Sequence, residues 1–358
     1  MRIVVDVSPL SRPRTGIGNY LRGMVAGLAG ASDGRHELVA FGPSGPRGRQ
    51  RIRDSLAGIP VELRLPLLPR AQWWREGWSR LGRPPVESFV GRLDAFHFSD
   101  WMYPAQRRGV RATTVHDLVP LRFPDLVQRR TLRMHRPKYA AARSCDVVFA
   151  NSRFTAREVV ELLGVPEERV VVAYPGIDPV FRAEGEAAHL DGPYVLSVAT
   201  LEPRKNLPAL LEAVALLRRR RPELTLALAG LSGWEKRPLA REGVRLLGYV
   251  SDRDLARLYR GAAAFAYPSR FEGFGMPVAE ALACGTPALV SSHPSLDEAC
   301  GEAAFRADPD DPEAFAAALE EALSARRGTG IRHAARFTWR ACGEAVLAGY
   351  ERALDSGS

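Results

Sequence analysis

Short apolar runs alternate with longer amphipathic stretches along nearly the whole chain, and that rhythm predicts an α/β protein built on parallel sheets. Strands are expected at 2–7, 37–42, 94–98, 111–115, 145–150 and 169–173, and the alternation restarts at 193–199, 224–230, 263–267 and 287–291. Between the two series lies PGIDPVFRAEGEAAHLDGP (175–193), rich in Pro, Gly and charge, the composition of a linker. The pattern therefore predicts two Rossmann-like, doubly wound domains, 1–178 and 190–337. A terminal amphipathic helix at 338–354 places Trp339, Val346 and Tyr350 on a common face. Doubly wound sheets gather binding groups beyond the carboxyl ends of their strands, so a central cleft faced by both domains is the expected site.

A length of 358 residues agrees with two domains, since it exceeds the size at which one core keeps growing. No apolar run approaches the ~20 residues of a membrane helix, and the opening MRIVVDVSPL reads as a strand rather than a secretory signal. Cysteines 145, 284, 300 and 342 form no CxxC pair, which suggests a reducing cytoplasm. The histidines show no HxxxH or HExxH spacing, and no metal is expected.

The net charge of +9 belongs to the first half: residues 1–180 carry 28 Lys/Arg against 17 Asp/Glu, the remainder 22 against 24. Nearly all of it is arginine, and the arginine bias of a GC-rich genome does not by itself explain the asymmetry. No nucleic-acid fold signature accompanies the charge, so nucleic acid ranks last as a partner; an anionic membrane surface or a lipid-phosphate acceptor fits better. In LLPRAQWWREGWSRLGRPP (67–85), Trp74, Trp78 and Leu81 share one helical face. An interfacial helix, a lid, an acceptor wall and a core-filling helix all produce that pattern. The basic run QRRTLRMHRPKYAAAR (128–143) reads as a solvated helix face.

The chemistry concentrates at strand ends. Residues 269–287, SRFEGFGMPVAEALACGTP, place Glu272, Gly273, Phe274 and Gly275 in a tight loop before a helix opened by Met276-Pro277. Glycines let backbone approach a ligand, and the helix start offers amides and a positive dipole end. Glu280 follows eight residues after Glu272, on the side of the loop. Arg204 and Lys205, between strand YVLSVAT and a helix, form a diphosphate clamp: a guanidinium for bidentate contact and an ammonium as a point charge. Gly248 and Val250 in GYVS are positioned to wall a nucleobase. Gly16 and Gly18 in TGIGNYLRGM suit a phosphate or sugar; Leu21 at the third glycine position argues against nicotinamide binding. His116, at a strand's carboxyl end, can donate to a sugar hydroxyl or phosphate and titrate near neutral pH. His97 in AFHFS reads as a core histidine.

Taken together, TGIGNYL, HDLVPLRFP, NSRFT (151–155), PGID (175–178), EPRKN and the Glu272-to-Glu280 E-x7-E signature resemble the retaining GT-B glycosyltransferases of family four, over nearly the whole length. The resemblance implies a nucleotide-sugar donor held mainly by the second domain. Arg204 and Lys205 would neutralise its diphosphate, Glu280 would accept from the ribose, and Glu272 with the amides of residues 273–275 would hold the donor sugar. Gly16 would approach the phosphate, His116 would contact the sugar near the reacting carbon, and the last helix would cross back onto the first domain. It further implies a retaining, metal-independent hexosyltransferase, with mannosyl from GDP-mannose the first expectation and a glycan, lipid-linked or polysaccharide acceptor. The expected location is the cytoplasm, with peripheral attachment to the membrane's inner face. The alternatives are UDP-glucose, UDP-N-acetylglucosamine or a deoxysugar donor with a natural-product acceptor, a GT-B sugar-nucleotide epimerase, and an inactive nucleotide-sugar-binding subunit.

Overall fold

The computed structural model describes every residue except 14–15, 128, 231–232, 234–239 and 357–358; Thr15 of the first glycine loop and Gln128 of the basic run thus lie outside the described residues. The chain divides into two compact units, the first made of Met1–Gly176 with Phe337–Ser358 and the second of Ile177–Arg336. The first unit holds β1 (Arg2–Asp6), β2 (Glu37–Phe41), β3 (Glu62–Arg64), β4 (Ala95–Phe98), β5 (Val110–Val115), β6 (Val147–Ala150) and β7 (Val170–Val172). They form one parallel sheet in the order β3-β2-β1-β4-β5-β6-β7. The second unit holds β8 (Tyr194–Val198), β9 (Thr225–Ala229), β10 (Val244–Gly248), β11 (Ala264–Tyr267), β12 (Ala288–Ser291) and β13 (Ala304–Ala307), parallel in the order β10-β9-β8-β11-β12-β13. Each is an α/β sheet of the doubly wound kind, with the strand order reversing once, between β1 and β4 and between β8 and β11.

The central strands are continuous buried runs because helices cover both faces of a parallel sheet. On one face of the first sheet, Ile3 and Val5 of β1 join Tyr20, Met24 and Leu28 of helix α1 (Gly16–Ser32) and Val346 and Tyr350 of the terminal helix. On the other, Val4, Phe96 and Val148 meet Trp78 of helix α2 (Ala71–Leu81) and Val159 of helix α3 (Arg153–Leu163). The second sheet packs Val195, Leu226 and Leu289 against helix α4 (Leu207–Arg218) and helix α5 (Pro312–Ser324). β3, β10 and β13, absent from the hydrophobic pattern, are sheet-edge or half-exposed strands with mixed sequences such as ELR and AFRA. Their pairing is imposed by the neighbouring strand rather than by an apolar run.

One expectation needs correction, and one open reading is decided. Residues 177–193 are not a free linker: Phe181 is buried with its ring 5.9 Å from that of Tyr259, and the Ala188 amide donates to the Arg257 carbonyl at 2.8 Å. The strap therefore belongs to the second unit, on the helix that follows β10. Of the readings open for α2, the core-filling one holds for Trp74 and Trp78, although Leu81 does not join their face. Trp78 is 3% exposed and Trp74 packs beside it, with Phe89 closing the cluster, whereas Trp73 and Leu81 are 79% and 78% exposed. Positions 74 and 78 face the sheet because the same i, i+4 spacing serves a core as well as an interface.

The terminal helix α6 (Trp339–Ser356) meets α1 backbone to backbone. A methyl on Gly343 would lie 2.1 Å from the Gly27 carbonyl carbon, and one on Gly27 would lie 1.9 Å from the Trp339 carbonyl oxygen. Neither side can give, so the contact demands glycine. Gly343→Ala should lower stability by about 2 kcal/mol or more in denaturant unfolding, whereas Gly30→Ala, with nothing within 4 Å, should be neutral or stabilising.

Candidate active site

In the second unit the order reversal between β8 and β11 splays two loops apart at the strands' carboxyl ends, the position where doubly wound sheets bind ligands. Arg204 and Lys205 sit in the loop after β8, and Glu272 in the loop after β11. A backbone bond ties the two loops together, the Arg270 amide donating to the Arg204 carbonyl at 2.9 Å, and the Glu272 amide is held by Ser295 Oγ of the segment after β12 at 3.0 Å. Read from the sequence, the two cations and the carboxylate have separate tasks. In the structure they form one network.

Glu272 is 7% exposed and accepts four side-chain donors. Lys205 Nζ, Ser269 Oγ and Tyr267 Oη reach Oε1, the last at 3.0 Å; Arg204 Nη1 reaches Oε2 at 3.0 Å. Burial pushes the carboxyl's pKa up, but Arg204 and Lys205 outweigh it and hold it at about 2. Arg204 also donates from Nε to Glu202 Oε2 at 3.0 Å, and Lys205 Nζ to Tyr267 Oη at 2.7 Å. Tyr267, Ser269 and Glu202 were not singled out in the sequence. Their signal is the i, i+2 spacing of Tyr267 and Ser269 running off a strand end, which puts both on one side.

Gly275 caps helix α7 (Met276–Ala283) with φ +98°, and a methyl there would lie 2.6 Å from Leu296 Cδ2, so both torsion and space require glycine. Gly273 and Phe274 are buried in the same turn. Glu280, one helical turn in from Met276, is buried and accepts from Tyr259 Oη at 3.1 Å. Burial drives its pKa up to about 8, with Asp252 and Asp178 adding to the rise and the Tyr259 bond opposing it. The two glutamates of E-x7-E are thus held in opposite protonation states at neutral pH. Gly248 ends β10 with φ +66° and is exposed, as is Tyr249 beside it; Val250 is half-buried.

In the first unit, Gly16 opens α1 with open space around it, Gly18 is buried two residues later, and Tyr20 sets its ring edge-on to His116 at 4.9 Å. His116 directly follows β5, so Gly16 and His116 both belong to the carboxyl edge of that sheet. The expected titration near neutral pH does not hold: burial, opposed by Asp117, pushes the imidazole down to about 4, and it is neutral at pH 7. His97 is a core residue, bonded to Tyr350 Oη at 2.6 Å and Thr114 Oγ1 at 2.9 Å.

Two Asp-x-Asp triplets, 252–254 and 308–310, carry the spacing of a metal-binding pair, which the sequence reading overlooked. Asp254 accepts from Ser251 Oγ at 2.7 Å, and Asp310 accepts from Arg270 Nε at 3.0 Å and Asn206 Nδ2 at 3.2 Å. Among the described residues no group of three or more His, Cys, Asp or Glu side chains is arranged to hold a metal ion.

Two doubly wound units, one carrying a cation–carboxylate network and a glycine-capped helix start at its switch point, are the layout of an α/β protein with groups suited to an anionic, hydroxylated ligand at its strand ends. Residues 14–181 match the family described as Glycosyltransferase Family 4, and residues 182–338 match Glycosyl transferases group 1. The chain is 30% identical to O-antigen chain mannosyltransferase B of Escherichia coli, over 98% of this chain and 100% of that protein. It is 28% identical to the serotype-specific mannosyltransferase WbdA of Escherichia coli, over 76% of this chain and 37% of that longer protein. Sucrose-phosphate synthase from Thermosynechococcus elongatus shares the fold, with a TM-score of 0.70 at 19% identity over 100% of both chains. The chain belongs to glycosyltransferase family four, has the GT-B architecture, and is a hexosyltransferase.

The raised pKa of Glu280 has a measurable consequence. Between an unfolded value of about 4.3 and the folded value, the native protein keeps a proton that the unfolded chain has released. Stability therefore falls as pH rises through this window, by up to about 1.4 kcal/mol per unit. Glu280→Gln cannot titrate, so melts from pH 5 to 8 should show the variant gaining steadily on the wild type. A constant difference would show that Glu280 is ionised throughout.

Proposed function

We propose that the protein transfers a mannosyl group from GDP-mannose to a glycan or lipid-linked acceptor in surface polysaccharide synthesis, with retention and without a metal. The observation that carries this reading is the Arg204–Lys205–Glu272 network at the β8/β11 switch point, where a diphosphate and a polyhydroxylated sugar find cations and a carboxylate within one hydrogen-bonding shell. The choice of mannose follows the two mannosyltransferases to which the chain is similar.

In the proposed step the bond between the sugar's anomeric carbon and the diphosphate oxygen breaks, and the electron pair leaves with the diphosphate. An acceptor hydroxyl attacks from the same face, and the departing phosphate takes its proton. Negative charge grows on the leaving group while the sugar becomes oxocarbenium-like. Arg204, Lys205 and the amides at the start of α7 supply fixed positive charge at that point. That is the charge a divalent ion would otherwise supply, so a chelator should leave turnover unchanged. His116, neutral at pH 7, serves as a hydrogen-bonding partner of the sugar rather than as a cation.

Attachment to an anionic membrane through the first unit would not rest on Trp78, which is in the core, or on Trp74, which packs against it. Trp73 and Leu81 are the exposed apolar side chains of α2, with Arg80 between them in sequence and a unit rich in arginine around them. Among the described residues no helix is long and apolar enough to cross a membrane.

Two measurements test these readings. Glu272→Ala and Lys205→Ala should each lower kcat/KM by about a hundredfold or more in a donor panel led by GDP-mannose; unchanged turnover removes the site assignment. Cosedimentation with anionic vesicles should fall for Trp73→Ala combined with Leu81→Ser, and equal sedimentation of wild type and variant removes the membrane reading.

A further inference from the structure

The first sheet has a switch point of its own, between β1 and β4, where the segments that follow the two strands part. Asp6 is buried there and accepts from the Ser8 amide at 2.9 Å and from Ser99 Oγ. Two guanidiniums meet on Trp101, two residues after Ser99. The central carbon of Arg12 lies 5.2 Å from the indole centroid and that of Arg75 lies 5.4 Å from it. Arg12, on the segment after β1, is exposed and donates from Nη2 to Gln72 Oε1 of α2. Arg75, also of α2, is 4% exposed and donates from Nε to the Ala71 carbonyl at 3.2 Å and from Nη1 to the Ser8 carbonyl at 3.4 Å.

Neither cation is in an ion pair with a described residue. Asp6 and Glu76 act on Arg75 through their fields alone, and Glu76 takes its hydrogen bond from Gln72 Nε2 at 3.3 Å. A buried guanidinium that meets only carbonyls is costly, and Arg12 beside it adds repulsion rather than relief. Among the described residues, Arg75 Nη2 and the Nε and Nη1 of Arg12 have no hydrogen-bond acceptor. All three are donors with no acceptor capacity of their own, so their complement is an anion rich in oxygens.

We propose that this switch point binds a phosphate ester, with Arg75 and Arg12 as its ligands and Trp101 as the plate that holds the two cations together. The phosphate is the anionic end of the acceptor, a statement that rests on the proposed transfer. The site lies at the carboxyl edge that also carries Gly16 and His116, and it gives the excess arginine of the first half a local use. An alkyl chain on the ester would find apolar surface at Trp73, the exposed neighbour of Gln72.

Calorimetric titration with hexyl phosphate, methyl phosphate and hexyl mannoside tests the site without any nucleotide. Wild type should bind hexyl phosphate, and Arg12→Ala and Arg75→Met should each weaken that binding about tenfold. Lys205→Ala, which removes a cation of the second unit, should leave the affinity unchanged. Tighter binding of hexyl than of methyl phosphate supports the site and assigns the phosphate to a lipid-linked acceptor; equal binding supports the site with a soluble phosphate ester. The inference is overturned by no binding to wild type, by equal binding of hexyl mannoside, or by an affinity that Arg12→Ala leaves unchanged. If Arg75→Met does not fold, Arg12→Ala on its exposed segment decides alone. Absence of GDP-mannose turnover removes the mannosyl reading and leaves this site standing, whereas phosphate binding independent of Arg12 removes the site and leaves the transfer.

Discussion

The strand-end loops of the second unit are organised around one buried carboxylate that is kept charged. An ionised glutamate away from water is costly unless several donors meet it, and Glu272 has four: Arg204, Lys205, Ser269 and Tyr267. Those donors come from two loops whose encounter is a topological fact. In a sheet ordered β10-β9-β8-β11-β12-β13, the connections leaving β8 and β11 go to opposite faces, so their first residues are left side by side. The charge network fills that gap. It also makes the gap useful, because the groups that satisfy one another in the free protein are the groups an anionic, hydroxylated donor would engage.

The same helix start shows how environment rather than residue type sets chemistry. Glu272 and Glu280 lie within one loop–helix turn and share a side-chain chemistry. Cations hold the first near a pKa of about 2, whereas burial without a cation pushes the second to about 8. One is an anion that organises cations; the other, protonated at neutral pH, can donate as well as accept a hydrogen bond. His116 follows the same rule in the other unit, where burial keeps the ring neutral.

The first unit spends its terminal segment on packing. Helix α6 lies on α1 at glycine contacts that no other residue could occupy, so the last residues of the chain complete the core built by the first ones. Tyr350 of that helix reaches His97 under the sheet's carboxyl edge. The first unit's edge, with His116 and Gly16, is therefore supported from both ends of the sequence.

Much of this was legible in the residues. Continuous apolar runs mark the central strands because both faces of a parallel sheet are buried, and the glycines and prolines mark the strand-to-helix corners because torsion and missing donors leave little choice. Glu272, Glu280, Arg204 and Lys205 stand out because charged residues rarely follow a buried strand without chemistry to do. Edge strands such as β3 and β13 were not legible, since their pairing is supplied by a neighbour. Nor was the orientation of α2: Trp73, Trp74 and Trp78 look alike in sequence, and only packing against Phe89 and the sheet decides that two of them turn inward and one is outside. The strap at 177–193 has a linker's composition and a packed residue's contacts. At 269–287 the sequence determined which groups were present. Tertiary structure decided that Arg204 and Lys205 already face Glu272, because pairing across a switch point depends on how a sheet is ordered in space, and no local spacing along the chain encodes that order.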